Sequence, residues 1–140
     1  MISIPGRTNH GIRTKKLVEM VDLFPTLVEA AGYDPLSLCP THSHNMKLCR
    51  EGLSLLPLIE NPNKEDWKNA VFWQYPKGPR IRKNVNRRMG YVIRTDRYRY
   101  TEWVYIKHLG GHAYRPNWGR LAGKPELYDL EIDPQENINR

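Results

Sequence analysis

The chain has 140 residues, with 22 Lys and Arg against 15 Asp and Glu, five His and a formal net charge of +7. That length fits one domain, and a composition 39% hydrophobic and 10% aromatic excludes a disordered tail or a collagen-like repeat. No apolar run approaches the roughly 20 residues of a membrane span. The opening MISIPGRTNH has no basic region followed by a long apolar stretch, so no signal peptide is visible.

The charge is unevenly placed. Nine basic residues and one acid, Asp96, lie between Lys77 and Arg99, so this segment carries about +8 and the remainder is near −1. Such a field attracts polyanions: nucleic acid, an anionic membrane or a sulfated polysaccharide. A solvated basic loop is the bland alternative.

In chain order, Ile2–Ile4 reads as the end of an extended element, broken at Pro5-Gly6. LVEMVDLFPTLVEAAG places a Pro in the middle of one long helix, at a cost of roughly 3 kcal/mol. A short extended segment Leu17–Val21, an N-cap at Asp22 and a helix with Pro25 in its first turn avoid that cost. Leu23, Phe24, Leu27, Val28 and Ala31 then share a face, and Gly32 ends the helix. Asp34–Arg50 reads as loop, Gly52–Glu60 as a short helix or turn bent at Pro57, and the segment 64–70 as a helical turn. Ala70–Tyr75 reads as a strand and Lys77–Arg88 as a loop. GYVIRT and RYRYTEWVYI form a hairpin about Thr95-Asp96-Arg97, with Tyr98, Tyr100, Val104 and Ile106 on one face. Gly110–Gly123 reads as a Gly-rich loop and Glu126–Leu130 as a last short strand. The class is α+β: a small antiparallel sheet with one or two packed helices.

Few residues offer chemistry. Cys39 and Cys49 could be unpaired thiols, zinc ligands together with His42 and His44, or a disulfide. A disulfide closing that loop would contribute roughly 2.5–3 kcal/mol to a segment with almost no core, and would imply an oxidising compartment. No Ser lies in a G-x-S-x-G turn, and no H-E-x-x-H, Walker loop or G-x-G-x-x-G is present. No Asp-Asp, Asp-His or Asp-Asn pair marks a hard-cation site. His108 and His112 read as surface or partner-facing residues in a Gly-rich stretch.

Four runs carry a resemblance: VEMVDLFPTLVEAAG, CREGLSLLPLIE, GYVIRTDRYRYTEW and ELYDLEIDPQEN. In this order they resemble the C-terminal part of the sulfatases of the alkaline-phosphatase-like superfamily. The cysteine pair with Cys49-Arg50-Glu51-Gly52, Gln74-Tyr75-Pro76 and Met89-Gly90-Tyr91 are similar to the iduronate-2-sulfatase branch.

The resemblance implies a calcium-dependent lysosomal hydrolase that removes the 2-O-sulfate of iduronate in dermatan and heparan sulfate. Its nucleophile is a formylglycine made from the cysteine of a Cys-x-Pro-x-Arg motif, which neither cysteine here matches. Calcium and formylglycine are therefore expected in an N-terminal sulfatase portion that would be this chain's partner, and no catalytic, cofactor or metal role falls on these 140 residues. Residues 1–33 would be a remnant of the α/β core and 34–140 the C-terminal subdomain. The resemblance also implies a Cys39–Cys49 disulfide and matches Arg94 to a position in the sheet, where its alternation with apolar residues reads as a structural donor to a buried partner. The loop Tyr75–Arg88 departs from the family and is unusually basic, so Tyr75, Lys77, Arg80, Arg82 and Lys83 are read as glycosaminoglycan contacts. By itself the chain would be inactive, in the lysosome or secretory pathway, with an uncovered apolar helix face and no membrane partner. A free-standing basic module binding nucleic acid through Arg97-Tyr98-Arg99-Tyr100 is the reading from another class.

Overall fold

The computed structural model describes residues 1–8, 11–42, 46–77, 87–110 and 113–140. They form two compact units, Met1–Lys68 and Asn69–Arg140.

In the first unit a 3-10 turn, Met20–Asp22, runs directly into α1, Leu23–Ala30. Pro25 falls in the first turn of α1, where a missing N–H costs nothing. Gly32, at φ +83°, closes the helix: its N–H donates to the Glu29 carbonyl and the Tyr33 N–H to that of Val28, both about one turn back. Asp22 precedes α1 as expected but does not cap it. Its carboxylate accepts the Glu19 N–H and so closes the preceding turn instead. The buried side of α1 also differs from the apolar stripe in the sequence. Pro25 and Thr26 are buried, whereas Phe24 and Leu27 are 55% and 68% exposed. Thr26 is tolerated inside because its hydroxyl donates to the Asp22 carbonyl (2.6 Å) and accepts the Leu55 N–H (2.8 Å).

A second helix, α2 (Leu56–Glu60), has Pro57 in its first turn. Leu55, Leu56 and Leu58 are buried, as is Leu17. The Trp67 indole N–H donates to the Leu17 carbonyl at 2.7 Å. Residues 64–70 form bends, not the helical turn expected. The division between compact units falls at Lys68/Asn69. Hydrogen bonds from Leu53 and Leu55 to Asp22 and Thr26 tie the later segment to the helix.

The second unit is a five-stranded antiparallel sheet. Its strands are β1 (Val71–Lys77), β2 (Arg88–Arg94), β3 (Tyr98–Gly110), β4 (Ala113–Leu121) and β5 (Glu126–Asp129). The order is β1-β2-β3-β4, and β5 pairs with the first residues of β3. The β2–β3 hairpin turns at Thr95, whose N–H donates to the Tyr98 carbonyl.

Most of the segment 110–123 is strand β4 and not the loop that its glycines predict. The thirteen-residue β3 runs past β2 and offers a long free edge, and pairing with it overrides the local Gly and Pro signals. Those residues leave their mark as register shifts at Val104/Tyr105 and His108/Gly110. Lys77 and Arg88, placed in a loop from sequence, are the last and first residues of paired strands.

Candidate functional site

The disulfide loop is built around Arg50. Cys39 and Cys49 are joined, with Cα atoms 5.0 Å apart, which removes both the free-thiol and the zinc readings. Leu38 and Arg50 form a parallel bridge: the Cys39 N–H donates to the Arg50 carbonyl (2.8 Å) and the Arg50 N–H to that of Ser37 (3.0 Å). The Arg50 guanidinium donates to the Leu36 and Gly52 carbonyls, each at 2.6 Å. A charged donor thereby satisfies carbonyls on both arms of the loop. Gly52 then lies against the Val21 carbonyl, leaving no room for a Cβ. His42 lies in the described part of this loop, and His44 lies outside the described residues.

Beside it is a buried ion pair. Asp22 has no exposed surface. Its carboxylate accepts the N–H groups of Glu19 and Leu53, each at 2.8 Å, and Lys68 Nζ at 2.6 Å. Lys68 also reaches Glu19 Oε2 at 2.6 Å.

In the sheet, register aligns Tyr75, Gly90 and Trp103 across β1, β2 and β3 on one face. The Trp103 ring lies over Gly90, where a Cβ would come within 3.0 Å of ring carbon. Tyr75 meets Trp103 edge-on with centroids 6.5 Å apart, and Lys77 Nζ sits 4.8 Å from its ring centre. Trp103 Nε1 donates to Glu126 Oε1 at 2.9 Å. The Arg120 guanidinium lies 4.4 Å over Tyr105, the next residue of β3 on this face.

Acids and bases are paired at the other end of the sheet. Arg97 holds Asp129 through Nε and Nη2, and Glu131 through Nη1. Arg99 holds Glu136 at 2.6 Å and stacks on Tyr128. The hydrogen bond from Arg97 holds the Asp129 carboxyl below the usual carboxylate range. On the opposite face the Tyr100 hydroxyl donates to Glu102 at 2.7 Å, which pushes the Tyr100 phenol up.

Of the residues expected from sequence, Cys39 and Cys49 are joined, and Tyr75 and Lys77 come together at Trp103. Arg80, Arg82 and Lys83 lie outside the described residues, as does His112. Arg94 is the exposed last residue of β2, and the described ion pairs of the sheet belong to Arg97 and Arg99 instead. Trp103, Tyr105 and Arg120 join the site only through the fold. The two-residue alternation that groups Tyr98 and Tyr100 also places Trp103 and Tyr105 on the reverse face, and that was the available signal.

Among the described residues, no three His, Cys, Asp or Glu side chains form a group that could hold a metal ion. Both cysteines are consumed by the disulfide, so neither described thiol is free for conversion to formylglycine. The described site therefore does not fit calcium or the aldehyde nucleophile. No helix among the described residues is long and apolar enough to cross a membrane.

Comparison with known proteins places this arrangement. A family profile described as "N-sulphoglucosamine sulphohydrolase, C-terminal" matches residues 1–140. The chain is 35% identical to iduronate 2-sulfatase of Homo sapiens over 152 aligned positions, covering 96% of this chain and 26% of that protein. It is 28% identical to arylsulfatase K of Rattus norvegicus, covering 91% of this chain and 18% of the relative. In fold it is similar to the phosphonate monoester hydrolase of Agrobacterium radiobacter, with a TM-score of 0.53, 24% identity, and 90% of this chain and 21% of the other covered. The chain spans about a quarter of the length of the iduronate 2-sulfatases that it matches. With the profile matched from end to end and 35% identity over 96% of the chain, the chain belongs to the sulfatase family, as a C-terminal domain related to that of iduronate 2-sulfatase.

Proposed function

We propose that this chain serves as the C-terminal part of a sulfuric ester hydrolase that removes the 2-O-sulfate of iduronate in dermatan and heparan sulfate. The observation that carries the reading is 35% identity to iduronate 2-sulfatase over 96% of the chain. In this reading the calcium ion and the formylglycine, which supply Lewis-acid and nucleophilic chemistry, belong to an N-terminal portion of the enzyme. The residues described here orient and bind. Arg50 and the disulfide hold the loop shape, and the Lys68–Asp22 pair holds the turn before α1. Tyr75 and Lys77, and from the connecting segment Arg80, Arg82 and Lys83, contact the glycan. Guanidinium and ammonium groups suit sulfate and carboxylate oxygens.

The N-terminal portion would also cover apolar side chains that the first unit leaves in solvent, among them Met20, Phe24, Leu27 and Tyr33. The disulfide supports an oxidising compartment, the secretory pathway or lysosome. By itself the chain would release no sulfate.

The substrate is tested by joining the chain in frame to the N-terminal portion of an iduronate 2-sulfatase and offering two sugars. The reading expects sulfate release from 2-O-sulfated iduronate and none from N-sulfated glucosamine. The reverse preference overturns it.

A further inference from the structure

The second unit is electrically divided along its strands. Its seven acids all lie within residues 96–102 and 126–136, so the stretches 70–95 and 103–125 contain none. Pairing brings those acid-free stretches side by side. Lys77 lies directly opposite Arg88, and Lys107 directly opposite Arg115. Arg88 is in turn opposite Tyr105, two residues before Lys107 on the same face and beneath the guanidinium of Arg120.

Like charges facing each other across strands destabilise a sheet. Here two such pairs stand together, and among the described residues none of these five cations has a carboxylate in ion-pair range. At the other end Arg94 also faces an arginine, Arg99, but there Arg97 and Arg99 are engaged by acids. Folding gains nothing from repulsion concentrated at one end, so an external polyanion is its natural complement. With strands about 4.8 Å apart, the cations span about 14 Å across β1 to β4.

The rings on this face indicate which polyanion. Single-stranded nucleic acid is held by bases stacking on open aromatic faces. Trp103 and Tyr105 each carry a cation of this chain over the ring, Lys77 and Arg120. The open rings on this face, Tyr75 and Trp73, are confined to the edge strand β1, so the surface of β2, β3 and β4 offers charge more than stacking.

We propose that Lys77, Arg88, Lys107, Arg115 and Arg120 form a binding surface for an extended sulfated polysaccharide, centred on β2, β3 and β4. The proposal rests on the glycan-contact part of the reading above, but its test reads binding and not hydrolysis, so either can fail alone.

The test is heparin affinity of the 140-residue chain. In one variant Lys77, Arg88, Lys107 and Arg115 become Gln, which keeps part of each stem. In a charge-matched control the exposed Arg7, Arg13, Lys15 and Lys47 become Gln. The proposal expects the first variant to lose about tenfold in affinity, as for a polyelectrolyte contact, and the control less than about twofold. Both variants are compared well below their thermal midpoints, so that affinity is read on folded chains. Equal losses in both variants would overturn the proposal. On the wild-type chain, heparin should displace itself far better than oligo(dT) does. Equal competition by oligo(dT) would assign the surface to nucleic acid instead.

Discussion

Lys68 Nζ lies 2.6 Å from the carboxylate of Asp22, a residue with no exposed surface, and joins it to the turn ahead of α1. Removing one partner of such a pair leaves a buried charge uncompensated, at a cost of about 3–5 kcal/mol. Lys68→Ala should therefore lower the urea midpoint of the first unit sharply. Lys64→Ala, a change at a half-buried lysine with no carboxylate partner among the described residues, should have little effect.

Gly52 is required for space, not for backbone freedom. A Cβ there would overlap the Val21 carbonyl and approach the Asp22 nitrogen, both backbone atoms that cannot swing away. Gly52→Ala should destabilise by about 1–3 kcal/mol or more, as overpacking does. At Gly119 the nearest atom to a new Cβ is 3.6 Å away, so Gly119→Ala should be close to neutral. Thermal denaturation of the two variants separates these outcomes.

The Cys39–Cys49 link closes a loop held otherwise by the Leu38–Arg50 bridge and the Arg50 guanidinium. Replacing both cysteines by Ser should cost about 2.5–3 kcal/mol on the chain-entropy model. A triple variant that also carries Arg50→Lys should lose more, because one ammonium cannot reproduce two donors in a fixed fork. Equilibrium unfolding with and without reductant measures both effects.

Two groups make the stability of the sheet depend on pH in opposite directions. The carboxyl of Asp129 is held low by Arg97, so its contribution is complete above the ordinary carboxylate value, about 3.9, and is lost as pH falls through the lower folded value. Asp129→Asn should flatten the acid limb of a stability–pH curve. The phenol of Tyr100 is held high by Glu102, so its contribution is complete below about pH 10 and is lost as pH rises through the higher folded value. Tyr100→Phe should flatten the alkaline limb and leave the acid limb unchanged.

Much of this architecture is legible in the residues, and the gaps have physical reasons. The β2–β3 hairpin follows from alternation on either side of Thr95–Arg97, and the last strand from Glu-Leu-Tyr-Asp. The strand β4 was hidden by Gly110, Gly111, Pro116 and Gly119, because a free edge on β3, invisible to local reading, supplies its pairing. The inward side of α1 was hidden because Thr26, a polar residue, is buried by virtue of two hydrogen bonds to distant or turn residues. The disulfide follows from the family resemblance. The opposition of Lys77 to Arg88 and of Lys107 to Arg115 needs the register, which composition alone cannot supply.

In the function proposed above, these residues scaffold a sulfatase whose bond-breaking groups lie elsewhere in the enzyme. Ion chromatography of sulfate released from 2-O-sulfated iduronate tests it directly, using the 140-residue chain by itself and the same chain completed by an N-terminal sulfatase portion. No release above background is expected from the first, and release abolished by a calcium chelator is expected from the second. Turnover by the isolated chain, or a completed enzyme indifferent to chelation, would contradict it.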